Sequence, residues 1–212
     1  MQVIPVSNTA QDLCDKLASV AETNFFDTVE MMEGSSTTVE CKKNGTALLK
    51  IEINTVVTCT FPNGASYPFP RSTTYSNDHI DLIVATNKAI YMKNYLGNGA
   101  FVVIAKDADG DLAVITVVYN GSIIGIDGDP KTSPIRIFKE SGSDIVRNYA
   151  LNNDNSTKKS FFIPLLVEDD LFIDGVYIAL IRPYPYEPGY MPFTIGNSEY
   201  VGFCGTSLIA EA

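Results

Sequence analysis

The stretch Phe101-Val-Val-Ile-Ala-Lys106, Asp107-Ala-Asp-Gly-Asp111, Leu112-Ala-Val-Ile-Thr-Val-Val-Tyr119 decides the fold class of this chain. Two runs rich in β-branched residues flank a short polar segment that contains a glycine. Asp and Gly accept the positive φ of a tight hairpin turn at little cost, and β-branched residues favour strands. The stretch therefore predicts two antiparallel strands joined by a turn.

The same signal recurs along the chain. The other turn pairs are Asn44-Gly45, Asn63-Gly64, Asn98-Gly99, Asn120-Gly121, Asp127-Gly128 and Asp174-Gly175. The runs between them predict strands at residues 26–33, 37–42, 46–53, 56–61, 80–85, 88–94, 122–126, 135–139, 161–167 and 176–181, with a closing hairpin over 193–209 that turns near 196–198. A spacing of about ten residues between turns is typical of sandwiches and barrels. We therefore predict a mainly β fold of antiparallel β-sandwich or barrel-like sheets.

One short N-terminal helix interrupts this pattern, at residues 8–21. Leu13, Leu17 and Val20 recur at helical spacing, and Ser7 or Asn8 could cap the first turn by accepting an orphan backbone N–H. A single apolar stripe needs a partner surface, so we expect the helix to pack on a sheet.

A length of 212 residues suits one large β domain or two small ones. We predict a single β-rich domain over residues 1–212. If the chain divides, the boundary lies near 62–78, which separates a helix and meander (1–61) from a sandwich (79–212). Pro62, Pro68 and Pro70 cannot donate to a ladder, so this segment is not a central strand.

The charge balance argues against several partners. The net charge is −10, which repels phosphate backbones and anionic membrane surfaces. No run reaches the roughly 18 apolar residues of a membrane span. The start, Met1 to Ser7, lacks the basic and apolar regions of a signal peptide, so we expect no leader and synthesis in the cytoplasm.

The four cysteines, Cys14, Cys41, Cys59 and Cys204, match no zinc-ligand spacing. Buried free thiols are the favoured interpretation. The alternative is a disulfide between Cys41 and Cys59 on neighbouring strands, which the absence of a leader disfavours.

The sequence offers no clustered catalytic set. His79 is the single histidine, no serine lies in a G-x-S-x-G turn, and no cysteine has a recognisable nucleophile context. Glu168, Asp169 and Asp170 are adjacent, and adjacent residues of a strand do not oppose one another across a substrate. We predict that the chain is not an enzyme and needs no cofactor.

Asp107, Asp109 and Asp111 resemble the start of a calcium loop, since alternate aspartates can surround a hard cation. The pattern departs from an EF-hand, because Gly110 comes two positions early and Val118 stands where the bidentate Glu belongs. A charged hairpin turn is the favoured interpretation and no metal is predicted. Asp127 and Asp129 would strengthen the calcium alternative if they shared this rim.

Two aromatic segments are the candidates for a contact surface. Their residues are Tyr67, Phe69 and Tyr75 in one, and Tyr184, Tyr186 and Tyr190 in the other. Tyrosines lose little entropy on binding and are enriched at interfaces. Three roles stay open: an interface, a loop that covers a sheet edge, or a platform on which a ligand such as a glycan stacks.

The runs Ile83-Val-Ala-Thr-Asn-Lys-Ala-Ile-Tyr-Met92 and Ile195-Gly-Asn-Ser-Glu-Tyr-Val-Gly-Phe203, together with the hairpin at 107–111, give the chain a family likeness. It resembles small β-rich virion structural proteins of tailed bacteriophages and prophages, found in neck, tail, baseplate or head-decoration positions. The resemblance implies a non-enzymatic subunit of a virion, made in the bacterial cytoplasm, that contacts copies of itself and other virion proteins. The helix and the Tyr/Pro loops would then be docking elements. The alternative is a carbohydrate- or receptor-binding β module.

Overall fold

The computed structural model describes residues 1–7, 9–22, 24–54, 57–68, 80, 82–93, 101–117, 131–139, 144–151, 162–167, 171–179, 190–203 and 208–212. Over these residues the chain is mainly β, with one short helix, α1 (Ala10–Ala21), as predicted. The strands are β1 (Gln2–Pro5), β2 (Thr28–Met31), β3 (Thr38–Lys43), β4 (Thr46–Ile53), β5 (Val57–Thr60), β6 (Ser66–Pro68), β7 (Leu82–Ala85), β8 (Ala89–Lys93), β9 (Phe101–Lys106), β10 (Leu112–Val117), β11 (Lys131–Lys139), β12 (Asp144–Leu151), β13 (Phe162–Leu166), β14 (Phe172–Ala179), β15 (Tyr190–Ile195), β16 (Ser198–Phe203) and β17 (Leu208–Glu211).

These strands form three antiparallel sheets. The central sheet has seven strands in the order β1-β7-β8-β9-β10-β11-β12. The second sheet runs β2-β3-β4-β5-β6, and the third runs β13-β14-β17-β16-β15. Most neighbours are consecutive in sequence, so short hairpins account for most of the connections.

The central sheet is buried on both faces. Residues that alternate along its strands belong to two different core clusters: Ile104 and Val114 pack with α1 and the second sheet, whereas Val103 and Ile115 pack with the third sheet. All four side chains are fully buried. The fold is therefore three layers deep, and this explains why its middle strands are apolar at almost every position rather than at every second one.

The helix lies on the second sheet, as expected, and buries Leu13, Leu17 and Val20 in the first core cluster. The predicted cap at Ser7 or Asn8 is wrong. Thr9 is the N-cap, and its hydroxyl accepts a hydrogen bond from the backbone N–H of Asp12. Ser7 contributes differently, because its backbone N–H donates to the Asp12 carboxylate at 2.6 Å and lowers the pKa of that group. At 12 residues, α1 is too short to cross a membrane, and no helix in the described part of the chain could do so.

The turn predictions hold at three of the described Gly pairs. Asn44 and Gly45 both have positive φ in the tight β3–β4 turn, and Gly64 and Gly110 have positive φ between their strands. Gly175 is different, because it lies inside β14 and not between strands. Its φ is 66°, the pairing with β13 is irregular there, and a Cβ would lie 2.5 Å from Lys88 Cγ. Asp174-Gly175 therefore marks a bulge, where glycine provides both the conformation and the space.

Several strand bounds differ from the predictions. β1, β6 and β12 are strands that the sequence did not predict, and β11 and β14 begin earlier than expected. β6 ends at Pro68 and lies at the edge of its sheet, which agrees with the exclusion of this segment from central positions. The closing hairpin forms from β15 and β16 around Gly196. The predicted strand at 122–126 and the turn pairs at 98–99, 120–121 and 127–128 lie outside the described residues.

Cys14, Cys41 and Cys59 are free and buried. Cys41 lies on β3 and Cys59 on β5, and β4 separates them, so the disulfide alternative is wrong. Burial raises the pKa of Cys59 to about 12 and that of Cys41 well above its usual range, so both are unreactive thiols. Cys204 lies outside the described residues.

Candidate functional site

Most of the aromatic residues that the sequence predicts as a contact surface lie outside the described part of the chain. Phe69, Tyr75, Tyr184 and Tyr186 lie outside the described residues. Tyr67 pairs with Cys59 through the backbone of β6, and only its backbone is described. Tyr190 opens β15 and is half-buried against the core cluster shared by the central and third sheets. Its ring therefore packs on the core side of the third sheet.

The predicted charged turn at 107–111 is confirmed. Asp107 Oδ1 accepts hydrogen bonds from the backbone N–H groups of Asp109 (3.0 Å) and Asp111 (2.9 Å). Its Oδ2 lies 2.5 Å from Lys139 Nζ, which is also 3.8 Å from an Asp111 oxygen. The side chains of Asp107 and Lys139 are 0% and 8% exposed. The Lys139 ammonium group therefore balances the negative charge of Asp107, which is the role that a calcium ion would have in the alternative interpretation.

No group of three or more His, Cys, Asp or Glu side chains in the described ranges could hold a metal ion. Asp127 and Asp129, which the calcium alternative needed, lie outside those ranges, as do His79 and the acidic run at 168–170.

The outer face of the third sheet carries an aromatic strip that sequence reasoning missed. Val176, Ile178 and Val201 point into the core cluster, so their neighbours in sequence point away from it. The neighbours are Tyr177 on β14 and Tyr200 on β16. Phe193 on β15 faces Tyr200 in register, and their rings stack at 5.7 Å between centroids and 17° between planes. Tyr177 meets the Tyr200 ring edge-on at 6.2 Å, so three rings cross the sheet together.

A carboxylate anchors this aromatic strip. The Tyr177 hydroxyl donates to Glu211 Oε1 at 2.6 Å. This hydrogen bond, followed by partial burial and the nearby negative charge of Glu211, raises the pKa of Tyr177 to about 12. The bond is made only by the protonated phenol, so the folded state holds that proton more tightly than the unfolded chain does.

We expect this proton linkage to appear as alkaline destabilisation. The contribution of the bond is complete below the unfolded tyrosine pKa of about 10 and is lost as the pH rises toward 12, because the folded state binds the extra proton. Urea unfolding followed across this window should show a shallower loss of stability in Tyr177→Phe than in the wild type. Glu211→Gln, which removes only the charge, should give an intermediate slope. A wild-type slope in Tyr177→Phe would contradict the assignment.

One end of the third sheet is unusually apolar. Five large hydrophobic side chains are exposed among the described residues, and four of them are on this sheet: Ile163 (36%), Leu166 (40%), Phe172 (41%) and Ile195 (50%). Leu166 and Phe172 are register partners, and Ile195 stands at the tip of the β15–β16 hairpin. The registers of β17 with β14 and β16 place this tip and the Leu166–Phe172 pair at the same end of the sheet. We call Leu166, Phe172 and Ile195 the apolar end.

We found no match to this chain among protein-family models, curated proteins or solved structures.

Proposed function

We propose that this chain is a non-enzymatic assembly subunit of the kind found in phage and prophage particles, and that its apolar end binds a second copy of the chain. The observation that carries the proposal is the group of three exposed large hydrophobic side chains at one end of one sheet. Single exposed apolar residues are ordinary on a monomer, but a group of them on one surface is typical of an interface.

The charge of the chain is consistent with an apolar contact. At a net charge of −10, two copies repel each other at long range, so their contact must gain its free energy from buried apolar area. Asp174, Glu199 and Glu211 lie on the same sheet, close to the aromatic strip. Salt screens such repulsion, and we therefore expect the association to strengthen as the salt concentration rises.

The oligomeric state tests this proposal. Light scattering after size-exclusion chromatography should give a molar mass that is a multiple of 23.1 kDa and that falls on dilution. Ile195→Asp should weaken the association by about tenfold or more, since burying one isoleucine side chain contributes about 1.5–3 kcal/mol. Asn63→Asp adds the same charge at an exposed turn of the second sheet and should leave the mass unchanged.

A chain that stays monomeric at all concentrations and salt levels would contradict the assembly proposal. Equal effects of Ile195→Asp and Asn63→Asp would show that the change in net charge matters and that the apolar end does not.

One observation favours a second candidate, a glycan-binding module. The Tyr177 and Tyr200 rings lie beside the Glu211 carboxylate, and aromatic rings combined with a polar acceptor are typical of sugar sites. Against it, Phe193 and Tyr200 stack on each other, so each covers one ring face of its neighbour. A glycan array that gives a signal abolished by Tyr200→Ala would favour this candidate over assembly.

A further inference from the structure

A small cleft lies where two turns from different sheets meet. Its walls come from the β3–β4 hairpin of the second sheet, the β9–β10 hairpin of the central sheet, and the segment that follows α1. The volume of the cleft is about 260 Å³. It is lined by Phe25, Lys43, Asn44, Leu48, Lys106, Gly110, Asp111 and Leu112. None of these residues belongs to the apolar end, so the cleft is independent of the proposed assembly contact.

Two lysines of this cleft lack the carboxylate partners that Lys42, Lys88 and Lys139 have. Lys42 lies 2.5 Å from Glu30, Lys88 lies 2.8 Å from Asp174, and Lys139 lies 2.5 Å from Asp107. Among the residues that the structure describes, neither Lys43 nor Lys106 has a carboxylate oxygen within 4.0 Å.

The contacts of the Lys106 ammonium group are with neutral groups. Its Nζ donates to the backbone carbonyl of Asn24 at 2.6 Å and lies 5.6 Å from the centroid of the Phe25 ring. Burial, followed by the positive charge of Lys43, lowers the pKa of Lys106. Lys43 and Lys106 therefore line one cleft as two like charges, and their repulsion disfavours this arrangement. The chain nevertheless has more Asp and Glu than Lys and Arg.

We propose that this cleft binds a small anion, with a carboxylate or phosphate group placed between Lys43 and Lys106. A bound anion supplies the negative charge that both ammonium groups lack, and a hydrogen bond to an ionised group is stronger than one between neutral groups. Leu48 and the buried side chains of Phe25 and Leu112 form the apolar part of the wall.

The cleft also limits the size and charge of this anion. Its volume is below the roughly 300–1,000 Å³ of sites for drug-sized ligands, so the ligand has few atoms. Asp111 adds a negative charge to one wall, where it lies 3.8 Å from Lys139. This carboxylate disfavours polyanions, and the site therefore suits a ligand with one or two charged groups.

The test uses inorganic phosphate and succinate as separate probes of the full chain. Each is titrated while the backbone amide resonances of Lys43, Lys106 and Gly110 are followed by NMR. We expect saturable shifts with at least one probe, and the stronger of the two identifies the charged group as phosphate or carboxylate. Lys43→Gln and Lys106→Gln should each weaken binding by about tenfold, since a hydrogen bond to a charged group contributes about 1.5–3 kcal/mol.

The matched control is Lys16→Gln on α1, which removes the same charge away from the cleft. Its affinity should equal that of the wild type within about twofold, because the charge of a distant lysine is screened by salt. Thermal unfolding of each variant establishes that it is folded before binding is compared. The proposal is overturned if neither probe gives a saturable shift, or if Lys16→Gln weakens binding as much as Lys43→Gln and Lys106→Gln do.

Discussion

Replacing Asp107 with alanine is expected to lower the free energy of unfolding by about 3–5 kcal/mol, the cost of leaving a buried charge without its partner. The side chain of Asp107 is fully buried against Lys139, and its other oxygen holds the backbone N–H groups of Asp109 and Asp111. The turn also contacts the third sheet, because the backbone N–H of Ala108 donates a hydrogen bond to the carbonyl of Phe172 on β14 at 2.9 Å. The substitution therefore also affects the contact between the central sheet and the third sheet.

Urea unfolding measures this effect, and Asp109→Ala is its control. Asp109 lies in the same turn with an exposed side chain, so its replacement should change the stability by no more than about 0.5 kcal/mol. The double variant Asp107→Leu with Lys139→Met removes both charges, and it should lose less stability than Asp107→Ala alone. If Asp107→Ala and Asp109→Ala were equally stable, the buried ion pair would not be what holds this turn.

The hairpin at 101–117 was predictable because its signals are local: two β-branched runs, a glycine that requires positive φ, and a short turn between them. The partner of Asp107 was not predictable in the same way. Lys139 lies on β11, far along the chain, and no pattern in the sequence links the two residues. The aspartates of this turn therefore left a cation site open as the alternative to a charged hairpin turn, whereas a lysine from another strand supplies the positive charge.

The three-layer arrangement was only half visible in the sequence. The nearly continuous apolar runs of β9 and β10 indicate strands that are buried on both faces. Other strands alternate apolar and polar residues, and a sandwich of only two sheets accounts for that alternation. β1 and β12 were missed because Pro5 ends one and Arg147 and Asn148 break the apolar pattern of the other. Both lie at the edges of the central sheet, where such residues are tolerated.

The aromatic strip had a signal that could have been recognised. Tyr177 lies between Val176 and Ile178, and Tyr200 precedes Val201, which is the alternation of a sheet with one face in the core. The tyrosines that were predicted as contacts, such as Tyr67, Tyr184 and Tyr186, lie in proline-rich segments instead. The apolar end was harder to predict, because the bulge at Gly175 changes the alternation along β14, and this change decides that Phe172 points outward.

Truncations on the two faces of the central sheet test the depth of the fold. Ile104→Ala removes a buried side chain from the cluster shared with α1 and the second sheet, and Ile115→Ala removes one from the cluster shared with the third sheet. Each should lower the free energy of unfolding by about 2–5 kcal/mol, because both leave a cavity in a close-packed core. Ile195→Ala, at a half-exposed position, should cost far less, within about 0.5 kcal/mol in the dissociated chain. Chemical denaturation of the three variants at low protein concentration gives the comparison. A small effect at either Ile104 or Ile115 would mean that one face of the central sheet lies open to solvent, and the chain would then have two layers instead of three.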